Sequence, residues 1–322
     1  MNEKFKSIEE LRNDGFFSLG ETGQTEYLRA NGFFKLDNEQ KIAFLEELGL
    51  FYLDINEDPP TIPLDPDKVD YLRKKLSSKI KSKITTKYGE HLVMKLIRNK
   101  QLIIKDIDGL ENMQNMETGA ILTCNHFNPY DSFTMELMYR KSRQNKRRKI
   151  YKIIREGNYT NFPGLYGFFF RNCDTLPLGS TKKAISCLIN AVDTLLKRGD
   201  FVLIYPEQSM WWNYKLPKPL RSGAFNFAVK SDAPVLPSFI TFEDSDVIGE
   251  DGNPVQAYTV HIGKPIYPDK NLSAKENMKM ISDKNYAFWK ETYEKAYGKK
   301  LEYSTIKYEE LPKYVEETID NI

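Results

Sequence analysis

The chain has 322 residues, of which 40% are hydrophobic and 29% charged, and its net charge at pH 7 is +2. These values are ordinary for globular proteins and exclude a disordered chain; the length suits one large α/β domain with an appendage, or two domains. The longest apolar run, residues 162–170, is far shorter than the roughly 20 residues of a membrane-spanning helix. Any membrane contact is therefore predicted to be peripheral.

The cysteines and the first residues bear on the cellular compartment. Cys124, Cys173 and Cys187 fit neither a zinc-binding nor a CxxC spacing, and the chain does not open on a secretory signal. There is also no Gly-rich phosphate loop. We expect a cytoplasmic protein with no metal site and no bound cofactor.

Residues 1–64 are predicted to form a mainly helical segment with breaks at Gly20, Gly23 and Gly32. The segment ends in a proline-rich linker at residues 57–63. No internal repeat is recognised in the chain. Residues 65–322 are assigned to an α/β domain.

The α/β domain is predicted to open on a basic amphipathic helix near residues 65–86. Asp65-Pro66 is typical of a helix start. Apolar residues then recur at steps of three and four among lysines: Val69, Leu72, Leu76, Ile80 and Ile84. Two interpretations stay open, a helix packed on the domain with solvated lysines, which we prefer, and a helix lying on a membrane surface. Its lysines belong to a basic stretch at residues 68–100; a second stretch covers residues 140–155.

Strands and helices then alternate along the chain. Strands are predicted at residues 120–123, 150–155, 174–176, 201–205, 235–241 and 257–262. Helices are predicted at residues 132–144, 181–198, 222–231 and 274–297. This alternation predicts an α/β fold with a mostly parallel central sheet flanked by helices. Ligands gather at the carboxyl ends of strands in such sheets, and His126 and Glu207 each follow a predicted strand.

The segment NHFNPYD, residues 125–131, carries the first candidate for catalysis. Asp131, by accepting a hydrogen bond from one ring nitrogen of His126, would leave the other nitrogen free to take a proton. Such a pair can activate a hydroxyl or a thiol. Asp131 could equally cap the helix predicted to follow it.

Cys124 lies two residues before His126, which leaves open a lipid or thioester hydrolase with a cysteine nucleophile. A cysteine in an apolar strand is more often a buried hydrophobic residue. His91 and His261 have no placed partner and are interpreted as structural.

Three further motifs follow in order: YPEQS at residues 205–209, KPLRSGAF at 218–225 and PVLP at 234–237. With the His-Asp block, this part of the chain, roughly residues 105–265, resembles the glycerolipid (1-acylglycerol-3-phosphate acyltransferase-like) acyltransferase family. The resemblance implies transfer of a fatty acyl group from acyl-CoA or acyl carrier protein to a hydroxyl of a lysophospholipid or related glycerolipid. It implies His126 as general base, Asp131 as its orienting carboxylate and Glu207 in acceptor binding. Backbone amides near the turn are expected to stabilise the oxyanion.

The sequence departs from the family at the residues that usually bind the acceptor phosphate. Residues 208–211 read QSMW, without the usual arginine, and Pro177-Leu178 stand where an Asp-Arg pair is common. Other side chains are therefore predicted to complete the substrate site: Ser209, Asn128, Lys218, Arg221, Arg171 and Lys182. Trp211 and Trp212 are candidates for an interfacial or substrate-facing position.

The predicted partners are a lipid acceptor, an acyl thioester and a membrane surface, because residues 140–155 suit anionic headgroups or coenzyme A phosphates. Nucleic acid is a different-class alternative, but the chain lacks a recognisable nucleic-acid module. A non-catalytic protein that binds anionic lipid is a further alternative.

Overall fold

The computed structural model describes residues 5–57, 61–144 and 148–306, where helices and strands alternate. The strands are β1 Ile103–Asp108, β2 Ala120–Thr123, β3 Ile150–Arg155, β4 Thr175–Leu178, β5 Phe201–Ile204, β6 Val235–Ile248 and β7 Pro254–Ile262. The helices are α1 Ile8–Asn13, α2 Glu21–Ala30, α3 Asn38–Glu47, α4 Leu76–Arg98, α5 Leu110–Gln114, α6 Tyr130–Lys141, α7 Glu156–Thr160, α8 Gly164–Asn172, α9 Lys182–Lys197, α10 Gly223–Lys230 and α11 Ala274–Tyr297.

A seven-stranded sheet in the order β1-β7-β6-β2-β5-β3-β4 runs through the described part of the chain. The five strands from β6 to β4 are parallel, whereas β7 is antiparallel to β6 and pairs in parallel with β1. The predicted α/β fold with a mostly parallel sheet and an N-terminal helical segment is confirmed. Strand β1 was not predicted, because its sequence IIKDID mixes apolar and charged residues at a half-exposed sheet edge.

The central strands bury side chains on both faces, as parallel strands covered by helices do. In β2, Leu122 lies in one apolar cluster and Ile121 in another. In β5, Leu203 and Val202 divide between the same two clusters. This burial fixes the register of β2 against β5, in which Thr123 pairs with Ile204. The residues that follow these two strands therefore lie side by side.

Three similar helical units build the N-terminal segment, so the expectation of no internal repeat is wrong. Each unit has a buried leucine, a glycine with positive φ and a buried apolar residue. At a spacing of 17 residues these are Leu11, Gly15 and Phe16, then Leu28, Gly32 and Phe33, then Leu45, Gly49 and Leu50. The first two units are also alike between these positions, LRNDGFFSL and LRANGFFKL, whereas the third reads LEELGLFYL. The units share one apolar cluster, which also takes in Trp211 and Tyr214 of the α/β part.

The basic helix is displaced from its predicted position. Residues 66–68 form a short 3-10 turn, and α4 begins only at Leu76. The Asp70 carboxylate accepts hydrogen bonds from the backbone amides of Lys74 and Lys75, at 2.8 and 2.9 Å, and Arg73 has φ +52°. This tight turn interrupts the helix that the apolar spacing suggested.

The preferred interpretation of α4, a helix packed on the domain with solvated lysines, fits the exposed lysines, but the apolar residues of the pattern do not form the packed face. The side chains that α4 buries are Ser82, Thr85 and Val93. Its outward face carries an apolar stripe, defined here as Leu76, Ile80, Ile84 and Tyr88, which are 73%, 51%, 61% and 50% exposed. Polar contacts hold the inner face, where the Ser82 hydroxyl donates to Asp174 at 2.7 Å.

No helix among the described residues has the length and apolar character needed to cross a bilayer. The domain boundary between residues 64 and 65 stays a prediction. Linker residues 58–60 lie outside the described residues, as do residues 145–147 of the second basic stretch.

Candidate active site

The segment that follows β2 is fastened to the neighbouring strand by Asn125. Its buried side-chain amide donates to the carbonyl of Ile240 at 3.0 Å and accepts from the amide of Ile240 at 2.8 Å. This two-fold bond to β6 fixes the start of the turn that presents His126.

The side chains of His126 and Asp131 lie within hydrogen-bond distance of each other. Nδ1 of His126 lies 2.7 Å from Oδ2 of the fully buried Asp131, and the imidazole remains partly exposed. The same oxygen accepts from the backbone amides of Phe127 at 3.1 Å and Asn128 at 3.4 Å. Asp131 thus binds amides of the turn from within the first turn of α6, rather than capping that helix. Among the described residues, no hydrogen bond engages Nε2 of His126.

Tyr205 completes the support of this pair. Its hydroxyl donates to Oδ1 of Asp131 at 2.7 Å, and its ring stacks on the imidazole with centroids 4.1 Å apart. Burial raises the pKa of Tyr205 well above its ordinary value, and the neighbouring Asp131 charge adds to this. The hydroxyl therefore remains a donor at neutral pH. The sequence motifs assign Tyr205 no role of its own; its position directly after β5, which pairs with β2, is the signal that could have found it.

Glu207 is bonded to the same turn from the next strand. Oε2 accepts from the backbone amide of His126 at 2.9 Å, and Oε1 accepts from the backbone amide of Lys218 at 2.9 Å. The Lys218 ammonium lies 3.5 Å from Oε2, and both side chains are almost fully buried. Burial raises the pKa of Glu207 and lowers that of Lys218, while each charge opposes the shift of the other.

The side chains of Lys218 and Ser209 form hydrogen bonds within the protein. The Lys218 ammonium donates to the carbonyl and hydroxyl oxygens of Ser209 at 2.7 and 3.0 Å, and the Ser209 hydroxyl donates to the carbonyl of Phe51 at 2.6 Å. These bonds join the loop after Glu207 to the N-terminal segment. A substrate-binding role for either residue stays a prediction.

The two tryptophans of this loop differ. Trp211 is fully buried, stacks on Phe51 and donates its indole N–H to the carbonyl of Leu53 at 2.7 Å. It is therefore a contact between segments, not an interfacial side chain as suggested. Trp212 is 42% exposed.

A cavity of about 350 Å³ extends between the third N-terminal unit and the loops of the α/β part, and Glu207, Arg221 and Tyr52 line it. The Arg221 guanidinium lies over the Tyr52 ring, 4.8 Å from its centroid. The Glu21 carboxylate is 3.8 Å from the same guanidinium. The structure thus brings Glu207 and Arg221 to one cavity.

Three predicted substrate residues lie elsewhere or are otherwise engaged. Asn128 is buried, and its side chain donates to Asn213 and Tyr258 and accepts from the backbone amide of Tyr130. Arg171 donates to the carbonyls of residues 159 and 162 and lines a second cavity. Lys182 is exposed at the start of α9. Their contact with substrate stays a prediction.

Cys124 has the properties of a core residue. It is fully buried in the cluster that contains Leu122, and burial raises the pKa of its thiol well above the ordinary value. Reactive cysteines need the opposite, an accessible thiol with a lowered pKa. The geometry argues against a cysteine hydrolase.

The second basic stretch is largely paired within the protein. Arg140 and Lys152 bind Glu136, Lys149 binds Asp174, and Arg155 binds Asp54. These pairs leave less free charge for a partner than the sequence suggested. In the described part of the chain, no group of three or more His, Cys, Asp or Glu side chains is arranged to hold a metal ion.

Comparisons with known proteins find similarity over the segment that contains His126, Asp131 and Glu207. The family model described as Acyltransferase matches residues 105–241, which contain all three. Residues 105–241 are therefore similar to the family described as Acyltransferase, over less than half of the chain. The chain is also similar to the chloroplastic 1-acyl-sn-glycerol-3-phosphate acyltransferase BAT2 of Brassica napus, at 28% identity over 134 residues, which is 41% of this chain and 36% of that protein. The chain thus matches about a third of the length of this relative.

Among solved structures, the chain aligns with the 1-acyl-sn-glycerophosphate (LPA) acyltransferase PlsC from Thermotoga maritima. The alignment covers 87% of this chain and 98% of that chain, with 15% identity and a TM-score of 0.39.

Proposed function

We propose that the protein is an acyltransferase that moves a fatty acyl group from a thioester to a hydroxyl of a glycerolipid acceptor, with His126 as general base. The observation that carries the proposal is the orientation of His126, whose Nδ1 is held by buried Asp131 while the ring stays partly exposed. The match of this segment to the acyltransferase family supports it.

In the proposed reaction, Nε2 of His126 takes the proton of the acceptor hydroxyl as the oxygen attacks the thioester carbonyl. The carbon–sulfur bond of the tetrahedral intermediate then breaks, and the imidazolium returns the proton to the leaving thiolate. The products are an ester and a free thiol. Because the thioester is already activated, no enzyme nucleophile is required. Asp131 stabilises the imidazolium through Nδ1.

The backbone amides of the turn at residues 126–128, which were expected to stabilise the oxyanion, are not available for it. The backbone amide of His126 donates to Glu207, and those of Phe127 and Asn128 donate to Asp131. These three amides hold the catalytic turn, so the oxyanion must be stabilised by other donors.

We assign the acceptor headgroup to the cavity lined by Glu207, Arg221 and Tyr52. Arg221 supplies a guanidinium there, although the two arginines usual in the family are absent from this sequence. A guanidinium is suited to an anionic headgroup, and the Glu207 carboxylate to its hydroxyls.

We further propose that the protein binds membranes peripherally through α4. The apolar stripe faces outward, and Lys79, Lys81, Lys83 and Lys87 lie among its residues on exposed positions. A helix with apolar and basic residues together on its free surface suits an anionic bilayer. Sedimentation with phosphatidylglycerol vesicles should recover the wild type and lose the Ile80→Asp/Ile84→Asp variant; equal recovery of both would refute this role for α4.

The activity is tested by thiol release from acyl-CoA and from acyl carrier protein against a panel of lysophospholipids, glycerol phosphate and glycolipids. We expect His126→Ala to lower the turnover by about 10²–10⁴-fold with the fold intact. His91→Ala, a histidine on the exposed side of α4, is the matched control and should keep full turnover. Full activity in His126→Ala would refute the general base. Lipid binding with no thiol release from any pair would favour the non-catalytic alternative.

A further inference from the structure

A second cavity, of about 300 Å³, lies where the turn before α4 meets α8. Among the described residues that line it, five are cationic and one is acidic: Lys68, Arg73, Lys75, Lys81, Arg171 and Asp70. None of them takes part in the proposed steps at His126, and Arg171, for which the sequence predicts a substrate contact, lines this cavity and not the one assigned to the acceptor headgroup. Asp70, which accepts hydrogen bonds from the backbone amides of Lys74 and Lys75, keeps its negative charge and offsets one of the five positive charges.

Arg73 lines this cavity and has one donor, Nε, that makes no hydrogen bond within the described residues. It is 94% buried, since its relative exposure is 6%. Its Nη2 donates to the carbonyl of Thr175 at 3.4 Å, and its Nε lies 3.8 Å from the Asp174 carboxylate, an ion pair without a hydrogen bond. A buried guanidinium in this state gains from an anionic oxygen within hydrogen-bond reach.

Two further cations are available on α4. No hydrogen bond or ion pair with another described residue involves the side chain of Lys75 or Lys81. Lys75 also stands at the N-terminus of this 23-residue helix, which lacks a side-chain cap. The positive end of the helix dipole therefore adds to the charge of the cavity.

The surroundings of the cavity indicate where an anion would come from. Phe168, which is 40% exposed, lies at the cavity, and the apolar stripe begins with Leu76 next to Lys75. A phosphate bound here would place attached acyl chains beside exposed apolar side chains. A soluble phosphate has no acyl chain that could contact these apolar side chains.

We propose that this cavity binds the phosphate of an anionic phospholipid headgroup and so anchors the protein at a defined position on the bilayer. The proposal rests on the membrane association proposed above, and it does not depend on the chemistry at His126. A headgroup site in this cavity would bind lipid specifically, whereas the exposed lysines of α4 alone would attract any anionic surface.

The test compares two double variants that remove the same charge from the same helix. Lys75→Gln/Lys81→Gln changes the cavity, and Lys83→Gln/Lys87→Gln changes exposed lysines that do not line it. Partition of the full chain onto phosphatidylcholine vesicles with 30% phosphatidylglycerol is measured at several salt concentrations. We expect the cavity variant to bind at least about tenfold more weakly than the control variant. Equal weakening of the two would overturn the site and leave only diffuse attraction.

A second arm distinguishes the source of the phosphate. Binding of dihexanoyl phosphatidylglycerol below its micelle concentration is measured by calorimetry, with inorganic phosphate and coenzyme A as competitors. The headgroup site is supported if dihexanoyl phosphatidylglycerol binding is lost in Lys75→Gln/Lys81→Gln and neither competitor displaces the lipid from the wild type. Displacement of the lipid by either competitor at a similar concentration would overturn the proposal. Turnover with water-soluble substrates should be the same in both double variants, so a failure of this site is distinguishable from a failure of the proposed acyl transfer.

Discussion

The carboxylate of Glu207 accepts a hydrogen bond from the backbone amide of His126 at 2.9 Å, across 81 positions of sequence. This bond joins the loop after β5 to the turn after β2, and the strands bring the two together because they are neighbours. Glu207 therefore shapes the turn that presents the proposed base, in addition to lining the proposed acceptor cavity.

Asp131→Asn should lower turnover by about 10²–10⁴-fold. The carboxylate accepts from the His126 ring, two turn amides and Tyr205, whereas an asparagine amide nitrogen cannot accept any of them. Steady-state thiol release measures the effect. Tyr205→Phe, which removes one of the four donors and keeps the carboxylate, is the graded control and should lose less activity. Equal turnover in Asp131→Asn and the wild type would refute the orienting role.

Glu207→Gln should destabilise the protein by about 3–5 kcal/mol, because it leaves the Lys218 ammonium buried without its counter-charge. Urea unfolding followed by circular dichroism measures the loss. The double variant Glu207→Gln/Lys218→Met should recover much of the stability and little of the activity. A single variant as stable as the wild type would show that the buried pair is not ionised.

Cys124→Ala should keep full turnover, and thiol reagents should not inactivate the wild type. The thiol is fully buried, and burial raises its pKa, so little reactive thiolate forms. A small loss of stability, on the order of 1 kcal/mol, is expected from the missing sulfur in the core. Abolished turnover in a folded Cys124→Ala protein would revive the hydrolase.

Trp211→Ala and its neighbour Trp212→Ala should differ sharply in stability. The first removes the stacking on Phe51 and the bond to the carbonyl of Leu53, and should cost about 3–5 kcal/mol. The second removes a 42% exposed side chain and should change stability by no more than about 0.5 kcal/mol. Thermal melts of the two variants give the comparison. Similar melting temperatures would contradict the docking of the N-terminal segment onto this loop.

The stability of the protein should fall as the pH rises above about 10. Burial raises the pKa of Tyr151 and of Tyr297 to about 12. Between pH 10 and 12 the unfolded chain loses these protons while the folded protein keeps them, so unfolding becomes more favourable with pH. We expect the free energy of unfolding to be at least about 2 kcal/mol lower at pH 11 than at pH 9. Urea titrations test this, and absorbance at 295 nm should show these tyrosines ionising only as the protein unfolds.

Periodicity alone predicted most of the α/β part, since buried strands and amphipathic helices impose their own spacing on apolar residues. The last helix, α11, has the predicted bounds. Periodicity was misleading at α4. The apolar residues do recur on one face of the helix, but that face points to solvent and not to the core. A local pattern records that one face of a helix is apolar; whether that face meets the core depends on what the other face contacts, here Asp174 through Ser82.

The sequence by itself determined the class of fold, the pairing of His126 with Asp131 and the order of motifs that relates residues 105–241 to acyltransferases, because each is written in short-range spacing. Only the tertiary structure decided that Tyr205 and Glu207 support the same turn, that Cys124 is buried in the core, and that Arg221 shares a cavity with the N-terminal segment. These contacts join residues far apart in the chain, and strand order and the packing of separate segments set them. No local spacing records such contacts.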